Sequence, residues 1–508
     1  MADSSWLRRY GVLVALPLAK LAIHLATIAG YGYFRDELYY VAGARRLAFG
    51  YVDHPPLSLL LLRPVIELFG TSLWSIRLLP AIAGAVMVLL VGLIARELGG
   101  GRFAQAIAMT AAIAAPIYLA LDHIFSMNAF DLVVWAAAAL VVIRLVRAPS
   151  PRLWLALGAI VGVGLQNKIS VLWLVAGLGA GLLLTERRAW LRTRGPYVAA
   201  ALAALIFLPY VIWQIAYGFP TIEFMANAGS LKMAPRPPAA FLLAQLEMMN
   251  PASAPLWIGG LAWLLAGGGR PYRLLGVAWL VVLAILLLNG TSRAYYLGPA
   301  YTWLFAAGGV WLEALTAVRL RWLRPAVAGA IVLVALVLLP FALPVLPVER
   351  YVAYAAALGR EPATEERHRL SELPQHYADM HGWEAIVDAV EQAWRELPDE
   401  ERGATVVLAQ NYGEAGAVEV LGAPRGLPPA ISGHNSYWMW GPPDFEVRNV
   451  IVIDGDEDEA RDVCTATRIV AHTDCGYCMP YEDGNPVMLC LGLRVAPAAI
   501  WPSLKHFN

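Results

Sequence analysis

Long apolar runs separated by short polar segments dominate the chain up to about residue 343. Each run approaches the roughly 20 apolar residues that a helix needs to cross the ~30 Å hydrocarbon core of a bilayer. No small-residue cleavage site follows the first run, so we expect it to be retained. The pattern predicts about eleven transmembrane helices and a mainly α-helical polytopic domain over residues 1–343. The predicted spans are 10–30, 74–95, 103–121, 129–146, 153–167, 169–185, 196–216, 252–268, 273–289, 296–317 and 325–343.

The remaining segment, 344–508, has a different pattern. Pro344 and Pro347 end the last apolar run, since a proline lacks the backbone donor that a helix needs. Helical periodicity and short β-branched runs then alternate, which predicts a small soluble α/β domain. The helical signal covers residues 383–397, and the strand signals cover 404–410, 449–454, 468–473 and 487–495.

Composition supports a membrane protein. Of the 508 residues, 59% are hydrophobic and 15% are charged, whereas a soluble protein carries roughly 25% charged residues. The formal net charge of zero is uninformative as a total, because the distribution of charge along the chain matters more. We expect no nucleic-acid partner.

The arginines predict the orientation of the helices. Cytoplasmic loops of membrane proteins are enriched in Lys and Arg, and short arginine-bearing loops alternate here with long, aromatic loops of mixed charge. If the N-terminus with Arg8 and Arg9 is cytoplasmic, the loops 31–73, 122–128, 217–251 and 290–295 lie outside. An odd number of spans puts the tail there too. We therefore predict a multi-pass inner-membrane protein whose chemistry and tail are periplasmic.

All four cysteines lie in the tail, which agrees with export. An even set of cysteines confined to an exported segment indicates disulfides in an oxidising compartment. The alternative is a zinc site, because His472 lies close to two of the cysteines, although such sites usually need two separated ligand pairs. The pairing is left open among Cys464, Cys475, Cys478 and Cys490.

The first outer loop contains an acidic pair, Asp36-Glu37, flanked by aromatic residues. A carboxylate at the membrane boundary is a candidate general base for a hydroxyl when the surrounding site excludes water. The alternative is a solvated loop charge, or Asp36 capping a short interfacial helix.

The same loop continues with Asp53-His54-Pro55-Pro56. Two consecutive prolines lock the backbone direction and hold Asp53 and His54 in place. Either side chain could bind a metal or a phosphate, and the alternative is a rigid turn leading into an interfacial helix.

The two motifs, in this order and spacing, resemble those of the protein O-mannosyltransferase and aminoarabinose-transferase superfamily, the glycosyltransferases of family 39 and their bacterial relatives. The resemblance continues through several further segments, and the tail resembles that of a bacterial branch. These segments are 164–168, 219–224, 293–301, 411–417 and 432–438.

The resemblance implies the C-type membrane glycosyltransferase fold and an inverting transfer of a sugar from a polyprenyl-phosphate donor to an acceptor hydroxyl. Asp36 matches the catalytic carboxylate of the family, and Glu37 matches its neighbour. Asp53 and His54 match a second loop motif near the reacting centre. A divalent metal held by Asp36, Asp53 and His54 is a further candidate cofactor.

A departing lipid phosphate needs cations aimed at its growing negative charge. Lys168 and Arg293 stand at the outer ends of predicted spans, from which their side chains could reach headgroup depth. With Tyr295 and Tyr296 they form the predicted donor-phosphate site, and the alternative for both cations is ordinary interfacial anchoring. Arg293 stands where many relatives have Lys, which should preserve the charge but not the geometry.

Several polar residues near the outer ends of spans are predicted to support the site. Lys20 and His24, one helical turn apart, are instead expected to line an internal polar seam. The predicted supporting residues are Asp53, His54, Asp122, His123, Asn128, Asp131 and Glu223.

Two other classes of protein compete with the transferase. One is a polyprenyl-lipid flippase or transporter. Such a protein would be expected to show repeat symmetry, or helices interrupted by Gly or Pro at corresponding positions in the two halves of the chain. The other is a non-catalytic membrane scaffold that displays the tail. The predicted partners are a polyprenyl-phosphate sugar donor, membrane lipids, and an acceptor that is a lipid, a glycan or a protein; the sequence identifies neither the sugar nor the acceptor.

Overall fold

The computed structural model describes residues 2–508, with side chains from Tyr10 onward. The side chains of Arg8 and Arg9, on which the predicted orientation partly depends, lie outside the described part. The chain forms two compact units. The helical unit comprises Met1–Ile28, Arg77–Trp213 and Pro235–Val345, and the sheet unit comprises Ala29–Ile76, Gln214–Ala234 and Leu346–Asn508.

The helical unit consists of apolar helices joined by short turns. Serine and proline residues start several of them: Ser126 and Ser150 accept hydrogen bonds from Asn128 N and Leu153 N, as N-caps do. The helices are Ala2–Thr27, Leu73–Glu97, Arg102–Ile113, Pro116–Leu121, Met127–Arg147, Pro151–Asn167, Val171–Leu184, Gly195–Ala216, Pro238–Met248, Ala254–Leu265, Arg273–Asn289, Tyr301–Leu315 and Leu323–Ala342.

Every predicted span coincides with helical structure, but not all of the spans are long enough to cross a bilayer by themselves. Among the residues that the structure describes, six helices meet that requirement by length and composition, and the chain is a multi-pass membrane protein. The prediction of one helix over 103–121 is wrong. That segment is two helices, Arg102–Ile113 and Pro116–Leu121, because Pro116 has no backbone N–H to continue the first. The six long helices are Tyr10–Thr27, Leu73–Glu97, Met127–Arg147, Gly195–Ala216, Arg270–Asn289 and Leu323–Ala342.

Glycines allow two of the shorter helices to pack closely. A Cβ on Gly260 would collide with the Leu304 carbonyl, and one on Gly308 would collide with the Leu256 carbonyl. Small residues at such contacts let helix backbones approach each other closely. Within a bilayer the lipid is as apolar as the side chains, so helices associate through close packing rather than through the hydrophobic effect.

The sheet unit contains short helices and one five-stranded sheet. Helix Leu57–Phe69 begins directly after Pro56, as the rigid-turn interpretation of that motif expects. The main helices are Arg35–Arg45, Leu57–Phe69, Pro220–Asn227, Val348–Ala357, Trp383–Arg395, Tyr412–Ala417, Ser436–Trp440 and Glu457–Val463, and short helices lie at Gln375–Ala378, Asp399–Arg402 and Pro497–Ile500.

The strands are β1 (Thr405–Ala409), β2 (Ala430–Ser432), β3 (Asn449–Ile453), β4 (Cys464–His472) and β5 (Pro486–Leu493), in the order β2-β1-β3-β5-β4. β1 pairs in parallel with β2 and β3, with Val407 opposite Ala430 and Ile451, and β5 runs antiparallel to β3 and β4. The predicted small α/β tail is confirmed, and its four strand signals correspond to β1, β3, β4 and β5. The sequence analysis missed β2, a strand of three residues.

The disulfides predicted for the tail are present. Cys464 pairs with Cys490, joining β4 to β5 with Cα atoms 5.5 Å apart, and Cys475 pairs with Cys478 at 5.6 Å. The second pair uses the two cysteines that the zinc alternative requires.

The sequence-based division at residue 343 places the first outer loop in the membrane domain, whereas packing groups Ala29–Ile76 with the tail segment in the sheet unit. The predicted division of the chain into a membrane domain, 1–343, and a soluble domain, 344–508, stays a prediction.

Candidate active site

The predicted acidic pair begins helix Arg35–Arg45, and its two members have different surroundings. The buried Glu37 carboxylate accepts a hydrogen bond from Phe34 N at 2.9 Å. The Phe34 amide, at the start of the helix, has no carbonyl acceptor within the helix. Glu37 supplies an acceptor, as the glutamate of a capping box does. The geometry therefore gives Glu37 a structural contact, and its catalytic role stays a prediction.

Asp36 lies on the accessible side of the same turn. Its side chain is 36% exposed, and its Oδ1 accepts a hydrogen bond of 2.9 Å from the Tyr412 hydroxyl. The Arg35 Nε lies 3.8 Å from the same oxygen. One carboxylate oxygen is thus held in place, while the side chain as a whole remains reachable.

Tyr412 is held on several sides. Its ring centroid lies 4.7 Å from those of both Tyr39 and His434, and the Arg35 guanidinium and the Lys232 ammonium lie 5.6 and 5.9 Å from it. Burial raises the pKa of Tyr412 well above its ordinary value. The hydroxyl therefore keeps its proton and remains a donor to Asp36.

Arg35 is a buried cation that the sequence analysis did not single out. Its guanidinium lies 3.6 Å from Asp379 and 3.8 Å from Glu366, and it donates to the Tyr481 hydroxyl at 2.7 Å. Burial raises the pKa of Asp379 to about 7, opposed by Arg35 and increased by Glu366. The only sequence signal for Arg35 was its place beside Asp36; its acidic partners come from the tail.

The second loop motif lies next to the same aromatic group. The Tyr39 hydroxyl lies 2.9 Å from Asp53 Oδ1 and 2.7 Å from the Ser436 Oγ. His54 stacks on Tyr40 with centroids 4.8 Å apart, and its Nε2 lies 4.0 Å from Asp53 Oδ1. Burial raises the pKa of Asp53. The two predicted loop motifs are therefore linked through Tyr39, which packs on Tyr412.

Metal binding by Asp36, Asp53 and His54 stays a prediction. Within the part of the chain that the structure describes, one set of three metal-type side chains has its ligand atoms within 4.8 Å of one another: Cys475, Cys478 and Asp483. Its two sulfurs are joined in the disulfide.

In the helical unit, the predicted donor-phosphate residues form a cationic and aromatic group around Lys168. The Lys168 ammonium donates to the Asn128 Oδ1 at 2.6 Å and lies 4.9 Å from the Tyr296 ring and 5.8 Å from the Tyr295 ring. Arg293, half-buried, is close enough to act electrostatically on Lys168.

Asp131 supports this group from within its helix. It lies 4.0 Å from the Lys168 ammonium and accepts hydrogen bonds of 3.0 Å each from Ser170 Oγ and Trp135 Nε1. A buried carboxylate with these partners positions a cation that would otherwise be costly to bury.

Asp122 and His123 belong to the buried polar seam predicted at Lys20 and His24. The Lys20 ammonium lies 2.9 Å from Asp122, and neither side chain is exposed. The His24 and His123 rings stack with centroids 6.2 Å apart. Their contacts are structural, and a supporting role in the site stays a prediction.

Glu223, the last predicted supporting residue, lies in the sheet unit. Its carboxylate forms an ion pair of 2.7 Å with Lys505 near the C-terminus, and the Glu223 side chain is 43% exposed.

Comparison with known proteins defines the class. Residues 53–213 match the family model of the dolichyl-phosphate-mannose-protein mannosyltransferases. A crystal structure of ArnT from Cupriavidus metallidurans bound to undecaprenyl phosphate is similar, with a TM-score of 0.61 and 16% identity over 94% of this chain and 98% of that one. The archaeal oligosaccharyltransferase AglB from Archaeoglobus fulgidus gives a TM-score of 0.52 and 14% identity, covering 88% of this chain and 70% of that one.

The fold is thus that of the C-type membrane glycosyltransferases, and the resemblance found in the sequence to the protein O-mannosyltransferase and aminoarabinose-transferase superfamily is confirmed. One curated relative is the lipid A galacturonosyltransferase RgtD of Rhizobium johnstonii, 28% identical over 301 residues. That match covers 56% of this chain and 62% of the relative, less than two thirds of its length.

Proposed function

We propose that this protein is an inverting glycosyltransferase that moves a sugar from a polyprenyl-phosphate donor to an acceptor hydroxyl. One observation carries the proposal: the half-exposed Asp36 carboxylate is fixed through one oxygen by Tyr412. A base needs this combination of a defined position and access to substrate.

In the proposed reaction, Asp36 takes the proton of the acceptor hydroxyl as the acceptor oxygen attacks the anomeric carbon. The bond from that carbon to the phosphate oxygen breaks, and the lipid phosphate leaves with the electron pair. The transition state has oxocarbenium character, which a nearby carboxylate stabilises. Asp53, next to His54 and Tyr39, is assigned to the same reacting region.

Lys168 and Arg293 are proposed to bind the donor phosphate. Lys168 lies at the end of helix Pro151–Asn167 with its charge oriented by Asn128 and Asp131. A preoriented cation needs little reorganisation as charge develops on the leaving group, which is why such groups accelerate reactions strongly. Tyr295 and Tyr296 flank this charge.

The proposed location is the inner membrane, with the reaction on the periplasmic face. The alternation of arginine-bearing loops supports it, and the disulfides of the tail agree with an oxidising compartment. The relatives support the substrate class. One is a lipid A galacturonosyltransferase, and the ArnT structure contains undecaprenyl phosphate.

An Asp36→Asn variant tests the proposal. Because the sugar is not known, lipids and glycans of wild-type, deletion and complemented cells are compared by mass spectrometry for a hexose- or pentose-sized mass lost on deletion. We expect D36N to reduce that product by roughly 10²–10⁴-fold, the usual contribution of a positioned base. Asp444→Asn, the same change at an exposed tail carboxylate, should restore it fully.

Restoration of the product by D36N at the wild-type level would refute the assigned base. Lipid translocation by the purified protein in vesicles, with no glycosidic bond formed, would instead identify a flippase. An unchanged glycan profile in deletion cells, together with no lipid translocation by the purified protein, would leave only the scaffold.

A further inference from the structure

A pocket of about 480 Å³ lies within the sheet unit, at the opposite end of helix Arg35–Arg45 from Asp36. Arg45, Arg46 and Glu419 form its polar wall, and Leu427, Pro428 and Pro429 form an apolar wall. The sequence analysis assigned no role to any of these residues, and the proposed reaction does not use them.

Arg46 and Glu419 make the polar wall rigid. Two guanidinium nitrogens of Arg46 donate to the two carboxylate oxygens of Glu419 at 2.8 and 2.6 Å. The Arg46 guanidinium also lies 4.6 Å from the centroid of the Trp440 ring. A bidentate pair that also stacks on an aromatic ring has a fixed geometry. Because both carboxylate oxygens of Glu419 accept from Arg46, the negative charge of Glu419 is neutralised by Arg46.

Arg45, an exposed residue, contributes a second positive charge to the pocket. Its Nη1 donates to the backbone carbonyl of Glu419 at 3.0 Å, and no carboxylate among the described residues pairs with it. The Arg45 side chain is also not required to cap the carbonyl end of its own helix. Arg63 donates to the carbonyls of Ala44 and Arg45 there, at 3.2 and 3.1 Å. The pocket therefore carries one net positive charge beside an apolar wall.

We propose that this pocket binds an anionic sugar of the acceptor, one that bears a phosphate or a carboxylate, with Arg45 as the ligand of the anion. Arginine presents two parallel donors that match an oxyanion. Leu427, Pro428 and Pro429 offer an apolar surface for the face of a sugar ring. Arg45 lies nine residues after Asp36, roughly 14 Å along the helix at 1.5 Å per residue, so the anion would be remote from the reacting hydroxyl. This assignment to the acceptor rests on the proposed function.

Direct binding measurements on the full-length protein in detergent test the pocket. The probes are glucose 1-phosphate, glucuronate and neutral glucose, and the readouts are saturation-transfer NMR and the dissociation constant. We expect one or both anionic probes to bind more tightly than glucose. Arg45→Gln should weaken that binding roughly tenfold, the usual effect of losing a charged hydrogen bond, and Arg45→Lys should weaken it less.

Arg425→Gln is the matched control. Arg425 lies in the sequence between the pocket residues Ala423 and Leu427, but it pairs with Asp388 and Glu391. It should leave the binding of every probe unchanged. Binding of glucose 1-phosphate alone would identify a phosphate ligand, and binding of glucuronate alone a carboxylate ligand. Equal affinity for glucose and both anions, or unchanged binding in folded R45Q, would overturn the proposal.

The Asp36→Asn variant separates this proposal from the proposed function. It should lose transfer but keep binding of the anionic probes. Unaltered probe binding in R45Q, together with transfer lost in D36N, would reject the pocket and leave the transferase standing. Wild-type transfer by D36N would reject the assigned base whatever the probes do.

Discussion

The Tyr412 hydroxyl donates a hydrogen bond of 2.9 Å to Asp36, a residue 376 positions earlier in the chain. The proposed base, which follows the first helix of the chain, is thus held by a side chain of the C-terminal segment. This relationship gives the tail a direct part in the proposed chemistry, besides any role in recognition.

Tyr412→Phe removes only that hydroxyl and keeps the ring packed between Tyr39 and His434. We expect kcat to fall roughly tenfold, about 1.4 kcal/mol, with little change in the KM for the acceptor, because the base loses its orientation while the binding surface is preserved. Steady-state kinetics of the purified protein measure both. Tyr437→Phe, another buried tail tyrosine, is the control, and an equal loss in both variants would argue against positioning.

Lys168→Gln is expected to raise the KM for the polyprenyl-phosphate donor about tenfold, the effect of losing about 1.4 kcal/mol of binding free energy. Arg293→Lys should have a smaller effect, because it retains the charge and loses only the planar fork. Initial rates over a range of donor concentrations measure both. Arg152→Gln, at an exposed position of the helical unit, should behave as wild type. A donor KM unaffected by K168Q would assign Lys168 to interfacial anchoring.

Lys20→Met should destabilise the helical unit by about 3–5 kcal/mol, because it leaves the fully buried Asp122 carboxylate without its cation. Lys20→Met combined with Asp122→Leu should recover much of that loss, since the isolated charge is gone. Thermal unfolding in detergent compares the variants. Arg144→Gln, which breaks a half-exposed pair with Glu97, should cost about 1 kcal/mol or less. A double variant less stable than K20M would contradict this view.

Asp379 predicts a pH dependence of stability. Its pKa is about 7 in the folded protein against an ordinary value of 3.8, so between these values the native state binds more protons than the unfolded state. The free energy of unfolding should therefore fall as the pH rises from about 4 to about 7 and be independent of this group above that range.

Asp379→Asn should make the fall in melting temperature between pH 4 and pH 7 shallower, because the amide does not titrate. Asp474→Asn, an exposed change in the tail, should leave the slope as in wild type. The same slope in wild type and D379N would show that Asp379 is ionised in the folded protein throughout this range.

The sequence predicted the helices because each apolar run has its own length and its own polar boundaries. It also predicted the strands β1, β3, β4 and β5 from their β-branched runs. It failed where the signal was short or where one residue changed the outcome. β2 has three residues, and Pro116 divides a run that is mostly apolar.

The sequence by itself determined the class of fold, the loop that carries Asp36 and Asp53, and the presence of disulfides, because these follow from local pattern and from motifs. Only the tertiary structure decided the contacts of Asp36, of its neighbour Arg35 and of its partner Tyr412. Tyr412, Asp379 and Glu366 come from the tail, and Lys232 from another loop, and no periodicity links segments so far apart. It also separated the acidic pair, because burial and the contact with Phe34 N make Glu37 a helix cap and leave Asp36 reachable.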